Sequence, residues 1–142
     1  MKKGLGLIAL LLLVLTSCDY EKAEKRKLLG AEVMKVHDEV MPQMADINLH
    51  LENIEEELEM ISSDTNGVDE ARIKALKETK TSLELASDGM NNWMMNFKLP
   101  SMKVKDDEAI VYLNKELVKI TQVAIDMKAA IIKADTLFEG KE

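Results

Sequence analysis

The sequence predicts an all-α fold, an up-down-up antiparallel three-helix bundle with a long first helix, standing behind an apolar N-terminal leader. Three observations predict it. The 142 residues suit one compact domain, and aromatics make up only 4% while Leu, Ile, Met, Ala, Glu and Lys dominate, a composition of helices and not of sheets. The apolar residues recur at alternating intervals of four and three, which is the spacing of a buried helical stripe. Only two short turn-rich stretches interrupt that spacing, and short connections force successive helices to run antiparallel.

The first helix is expected from about Asp19 to Ile61, with its seam on Val33, His37, Val40, Met44, Ile47, Leu51, Ile54, Leu58 and Ile61. Pro42 lacks the amide that would bond the Asp38 carbonyl, so a kink is expected there. The run Ser62-Ser63-Asp64-Thr65-Asn66-Gly67 is turn chemistry. Its acidic residues do not follow a calcium loop, because the glycine is out of register and no bidentate Glu follows at the right distance. The second helix carries Ile73, Leu76, Thr79, Leu83, Ala86, Met90, Trp93 and Phe97 on one face and ends before Pro100, with Gly89 weakening it near that end. The third opens at Lys105-Asp106-Asp107-Glu108, where acidic groups suit the positive end of the helix dipole. Its seam is Ile110, Leu113, Leu117, Ile120, Ala124, Met127, Ile131, Ala134 and Phe138, closed by Gly140.

Ahead of the helices, Lys2 and Lys3 precede an eleven-residue apolar stretch from Leu5 to Leu15, the pattern of a secretory leader over residues 1–17 and too short for a permanent span. Leu15-Thr16-Ser17-Cys18 follows and resembles the lipobox of bacterial lipoproteins. The resemblance implies a diacylglycerol on the Cys18 sulfur, cleavage before it and acylation of the new amino terminus. Cys18 is the only cysteine, so an intrachain disulfide is excluded. The expected organisation is therefore a signal peptide over 1–17, a lipidated cysteine and tether over 18–27, and a helical domain over 28–140. The expected location is the cell membrane or outer membrane, facing an exported compartment. Asp19 and Glu21 bear on sorting but do not select a leaflet.

The formal charge is −7, and losing Lys2 and Lys3 with the leader leaves −9. Phosphate backbones repel such a chain, so nucleic acid is not an expected partner. The one basic cluster, Lys22, Lys25, Arg26 and Lys27, lies beside the expected anchor. It reads either as a contact for anionic headgroups or as a solvated tether. The acidic run Glu52, Glu55, Glu56, Glu57 and Glu59 reads as a solvated face. With two histidines, no Ser or Thr given an evident base, and a slender bundle expected to offer little concavity, no catalytic residues are assigned and the chain reads as non-enzymatic.

One constellation carries potential chemistry. Counting outward from the first turn sets His37 opposite Trp93, and the same end gathers Met34, Met41, Met44, Met90, Met94, Met95 and Met102. Thioethers with an imidazole suit Cu(I), and an indole can shield it, which makes His37, Met41 and Met94 a candidate copper site. A haem held by His and Met is a variant of that reading. Against it stands ordinary core packing, since Met fills the irregular space that a proline kink leaves, or a methionine surface for a partner. Asp38 is poorly placed to hold His37, because adjacent residues on a helix point apart. His50 lies thirteen residues on, at the edge of the seam, too far to share a ligand with His37.

The stretch Val33 to Met44, with His37-Asp38-Glu39-Val40-Met41-Pro42-Gln43-Met44 at its centre, together with Met90-Asn91-Asn92-Trp93-Met94, resembles a group of small uncharacterised lipoproteins of Bacteroidota. Some of these carry a label derived from viral A-type inclusion proteins. The resemblance spans most of the mature chain and implies a lipid-anchored helical envelope protein, with no catalytic residues to carry over. The expected role is binding an envelope protein or a structural role, with no resident cofactor. The alternative is Cu(I) or haem binding at His37 and the methionines. Apolar seams on three helices also permit a homo-oligomer.

Overall fold

The computed structural model describes residues 3–63 and 69–139, with side chains from residue 20 onward. Among the described residues there is no strand. Four helices account for most of them: α1 (Lys3–Val40), α2 (Gln43–Ser63), α3 (Glu70–Asn96) and α4 (Asp106–Phe138). The leader and Cys18 have no described side chains, and the Asp64–Gly67 turn and Gly140 lie outside the described residues. Among the described residues no helix is long and apolar enough to cross a membrane.

The expected long first helix is broken in two at Met41 and Pro42. The Met41 amide still reaches the His37 carbonyl at 2.8 Å, but the next bonds span one residue fewer, Met44 to the Met41 carbonyl and Ala45 to the Pro42 carbonyl, both at 3.1 Å. Pro42 has no amide to offer Asp38, so the helix closes at Val40 and restarts one turn later through i to i+3 bonds. Downstream, the Asp69 side chain accepts from the Arg72 amide at 3.0 Å and caps the start of α3. The helix α4 opens with Asp106, Asp107 and Glu108 in its first turn.

The core follows the apolar spacing. Val33, Val40, Ile47 and Ile54, seven residues apart through the break, are at most 1% exposed. They meet Leu76, Leu83, Ala86 and Met90 of α3 and Leu113, Ile120 and Met127 of α4. Burying each large aliphatic chain contributes about 1.5–3 kcal/mol. On α4 Leu113, Ile120, Ala124, Met127 and Ala134 of the expected seam are buried, and at three other places burial falls one residue earlier than expected. Ala109, Glu116 and Ala130 are buried, while Ile110, Leu117 and Ile131 are only half-buried. Alanines on the inward line let the helices approach closely, and the larger aliphatics then seal the flanks.

Specific pairs set the alignment of the helices. Lys22 meets Asp107 at 2.7 Å and His50 meets Asp135 at 3.1 Å, both between the α1–α2 pair and α4. Against α3, Glu57 meets Arg72 at 2.8 Å and Lys80 meets Glu55 at 2.6 Å. Residues 20–27, expected as a tether, are helical and belong to α1, and Arg26 is 9% exposed on the same seven-residue line as Val33. Its guanidinium donates to the carbonyls of Pro100, Ser101 and Val104 at 2.7–3.1 Å and to Asp106 Oδ1 at 2.9 Å. Arg26 thereby ties the connection between α3 and α4 to α1.

Candidate functional site

The last turn of α1 and the last third of α3 bring His37 against Trp93, with ring centroids 5.5 Å apart and planes tilted by 31°. Trp93 stacks on Phe97 at 4.6 Å, and Phe97 on Tyr112 at 6.3 Å. The Tyr112 hydroxyl accepts from the Lys98 amide at 3.1 Å, so the aromatic row runs from α1 across the end of α3 to α4.

The His37 ring is 16% exposed, and its Nδ1 lies 2.9 Å from Asp38 Oδ1. The expectation that neighbouring residues point apart fails here. Nδ1 is the ring nitrogen closest to the backbone, and the half-turned imidazole pressed on Trp93 keeps it within reach of the short Asp arm. If Nδ1–H donates to Asp38, Nε2 is left with its lone pair, the arrangement in which a histidine serves as a ligand or acceptor.

The methionines differ in their burial. Met90 is fully buried, and Met41, Met44 and Met94 pack half-buried against the core. Met95 and Met102 are 74% and 91% exposed. Met34 lines a groove described below. The seven sulfurs share one end of the molecule without sharing one environment. Among the described residues, no group of three or more His, Cys, Asp or Glu is placed to hold a metal ion, so a metal there would depend on the thioethers.

Three buried charged groups were not legible as such. Glu116 is 5% exposed; its Oε2 accepts from the Trp93 indole at 3.1 Å and its Oε1 from Lys119 at 2.7 Å. This carboxylate raises the Lys119 ammonium above its ordinary range, first through that hydrogen bond and then through its charge. Glu57, expected on the solvated face, is 7% exposed and accepts from Arg72 Nε and Nη2 at 2.8 and 2.9 Å. Arg72 also donates to the Leu137 carbonyl at 2.8 Å and sits 5.7 Å over the Phe138 ring. The hydrogen bond that Arg72 donates to Glu57 is the main cause of a guanidinium pKa raised further still. The signal in the sequence was positional: Arg26, Glu57 and Glu116 all stand on inward lines of the helical repeat. Glu52, Glu55, Glu56 and Glu59 are exposed as expected. At the far end His50 Nε2 meets Asp135, its ring stacks near Phe138 at 6.2 Å, and its Nδ1 is buried without a protein partner.

Contrary to the expectation of little concavity, a groove of about 550 Å³ opens between the stretch of α1 from Tyr20 to Met34 and the connection from α3 to α4. Its lining is predominantly apolar, from Tyr20, Ala23, Gly30 and Met34 on one side to Leu99 and Met102 on the other. The chain matches no family model, no curated protein and no solved structure.

Proposed function

We propose that this is a lipid-anchored cell-envelope protein of the Bacteroidota lipoprotein kind, held by acyl chains on Cys18, whose helical domain has no enzymatic role and binds a protein partner. The four helices then act as three rods, with α1 and α2 as one kinked rod, α3 running back and α4 returning. The ordered pairs Lys22–Asp107 and His50–Asp135, with Glu57–Arg72 and His37–Trp93, support this up-down-up arrangement.

The observation that carries the binding role is on α4. Val111, Val118, Ile125 and Ile132 are 55%, 71%, 54% and 64% exposed, and they stand seven residues apart. Such spacing follows the twist of a helical bundle, so the four side chains form one outward line with about 10 Å between successive members. A stripe of β-branched side chains suits a helical partner, with a second copy as the first to test. The experiment compares the intact lipoprotein with Val118→Asp/Ile125→Asp and with Cys18→Ser. The double variant is expected to remain in the membrane and lose its crosslinked partner, while Cys18→Ser leaves the acylated membrane fraction. Unchanged crosslinking in the double variant would overturn the binding surface, and acylation of Cys18→Ser would overturn the anchor.

One observation favours a second reading, Cu(I) held by His37 with Met41 and Met94. The Asp38 carboxylate at Nδ1 is the support that ligating histidines commonly have. Titration with Cu(I) against a chelator, read by Trp93 emission, is expected under this reading to show sub-micromolar binding lost in His37→Ala. Binding unchanged by that substitution, or none, removes it.

A further inference from the structure

We infer that the connection from α3 to α4, with the face of α1 beside it, docks on a bilayer surface that bears anionic headgroups. From Lys98 to Lys105 the chain reads Lys-Leu-Pro-Ser-Met-Lys-Val-Lys, with three lysines and no acid, in a protein whose formal charge is −7. Leu99 and Met102 stand between those lysines 63% and 91% exposed. Tyr20 of α1, 75% exposed, borders the same depression as Leu99, Met102 and Lys27. Large apolar side chains alternating with cations suit an interfacial segment. The apolar ends sink below the headgroups while the ammonium groups stay level with the phosphates. Met102 projects almost free of the protein, a shape that fits a fluid layer able to close around it better than the flat face of a folded partner.

The cations are available for that contact. Lys27, Lys98, Lys103 and Lys105 are exposed, and no ion pair among the described residues engages them. Of the acids nearby, Asp106 is paired with Arg26 at 2.9 Å and Asp107 with Lys22 at 2.7 Å, while Glu21 lies with Lys25 on the other flank of α1. Glu24 and Glu108 remain against the four lysines. Exposed charges act over a Debye length of about 8 Å at physiological salt, so this local surplus and not the net charge meets the membrane. The acidic remainder of the molecule is repelled by the same headgroups, which turns this end toward them. Four hydrogen bonds from Arg26 fix the connection, so its side chains are presented with little left to order on binding. Arg26 follows Cys18 by eight residues on the same helix, about 12 Å at the helical rise of ~1.5 Å per residue. Acyl chains on Cys18 would therefore hold the connection at the headgroup layer. That nearness rests on the proposed anchor, whereas the chemistry of the surface does not.

The described buried side chains begin at Arg26, so a chain started at Asp19 keeps all of them and lacks the anchor. That chain is sedimented with vesicles of phosphatidylcholine alone and of phosphatidylcholine mixed equally with phosphatidylglycerol, at low and at high salt. The expected result is binding to the mixed vesicles only, weakened by salt. Lys98→Gln/Lys103→Gln/Lys105→Gln is expected to lower that binding about 100-fold, from about fivefold for each cation near the surface. Leu99→Ser/Met102→Ser is expected to lower it about tenfold by removing the apolar ends. All five positions are exposed, so both variants are expected to keep the parent circular dichroism melt. No sedimentation with the mixed vesicles, equal sedimentation with the neutral ones, or binding indifferent to both variants overturns the surface and gives the patch to a protein partner. In the intact lipoprotein reconstituted in the mixed vesicles, a fluorophore attached through Met102→Cys is expected to be quenched by nitroxide-labelled lipids. An unquenched fluorophore on an acylated protein overturns the docking. Absence of acylation at Cys18 would overturn the anchor and leave the sedimentation result standing.

Discussion

Glu116 is a carboxylate inside a helix interface, and what makes it tolerable there is that both oxygens are occupied, one by the Trp93 indole and one by the Lys119 ammonium. A buried acceptor that loses its donor costs the desolvation it had been spared. Trp93→Phe leaves a smaller aromatic ring and removes the N–H, so the lost hydrogen bond alone is expected to destabilise the chain by about 1–3 kcal/mol in urea melts, with the lost ring volume adding to it. A loss within experimental error would mean that the indole bond contributes nothing. The same residue links chemistry to position: Trp93 is pinned from α4 while its ring lies on His37, so any ligand at His37 would meet an indole whose orientation is already set.

At the scale of the element, α3 carries a glycine that nothing in its surroundings requires. A Cβ on Gly89 would meet only Val123 Cγ2, at 3.9 Å, an ordinary contact. Gly89→Ala is therefore expected to raise stability by about 0.4–1 kcal/mol, mostly by restricting the unfolded chain. A lower melting temperature in that variant would show that the backbone at Gly89 needs its freedom. Pro42 acts in the opposite sense, since it ends α1 by removing a donor, and its place was readable because an absent amide is a property of the residue itself. The inward line of α4 was not readable to the same precision. Ile110, Leu117 and Ile131 are more hydrophobic than Ala109, Glu116 and Ala130, and pattern alone assigns the interior to the more hydrophobic set.

For the whole molecule these local shifts by one residue have measurable consequences. Leu113 is 1% exposed at the centre of the interface, whereas Leu117 is half-buried on its flank. Leu113→Ala is expected to cost about 2–5 kcal/mol, as fully buried leucines do, and Leu117→Ala clearly less. Equal losses in denaturant melts would contradict the packing described. Polar ties hold both ends of the bundle: Arg26 fastens the connection from α3 to α4 at one end, and Arg72 joins Glu57 to the Leu137 carbonyl at the other. Between them the buried side chains are almost wholly apolar, with Glu116 the buried charge and Thr79 the buried hydroxyl.

By itself the sequence determined the helical class, the break at Pro42, the seams of the first rod and of α3, and the meeting of His37 with Trp93. These follow from local properties, a repeat of three and four and the counting of residues from a short turn, which hold whatever the neighbours are. The tertiary structure alone decided which charges go inside, where α4 turns its narrow face, and that a groove lies beside Tyr20. Burial of Arg26, Glu57 and Glu116 depends on partners 15 to 80 residues away, and no local pattern encodes such a partner. The groove exists because small residues on α1 face a connection anchored by Arg26, a property of two distant segments brought together.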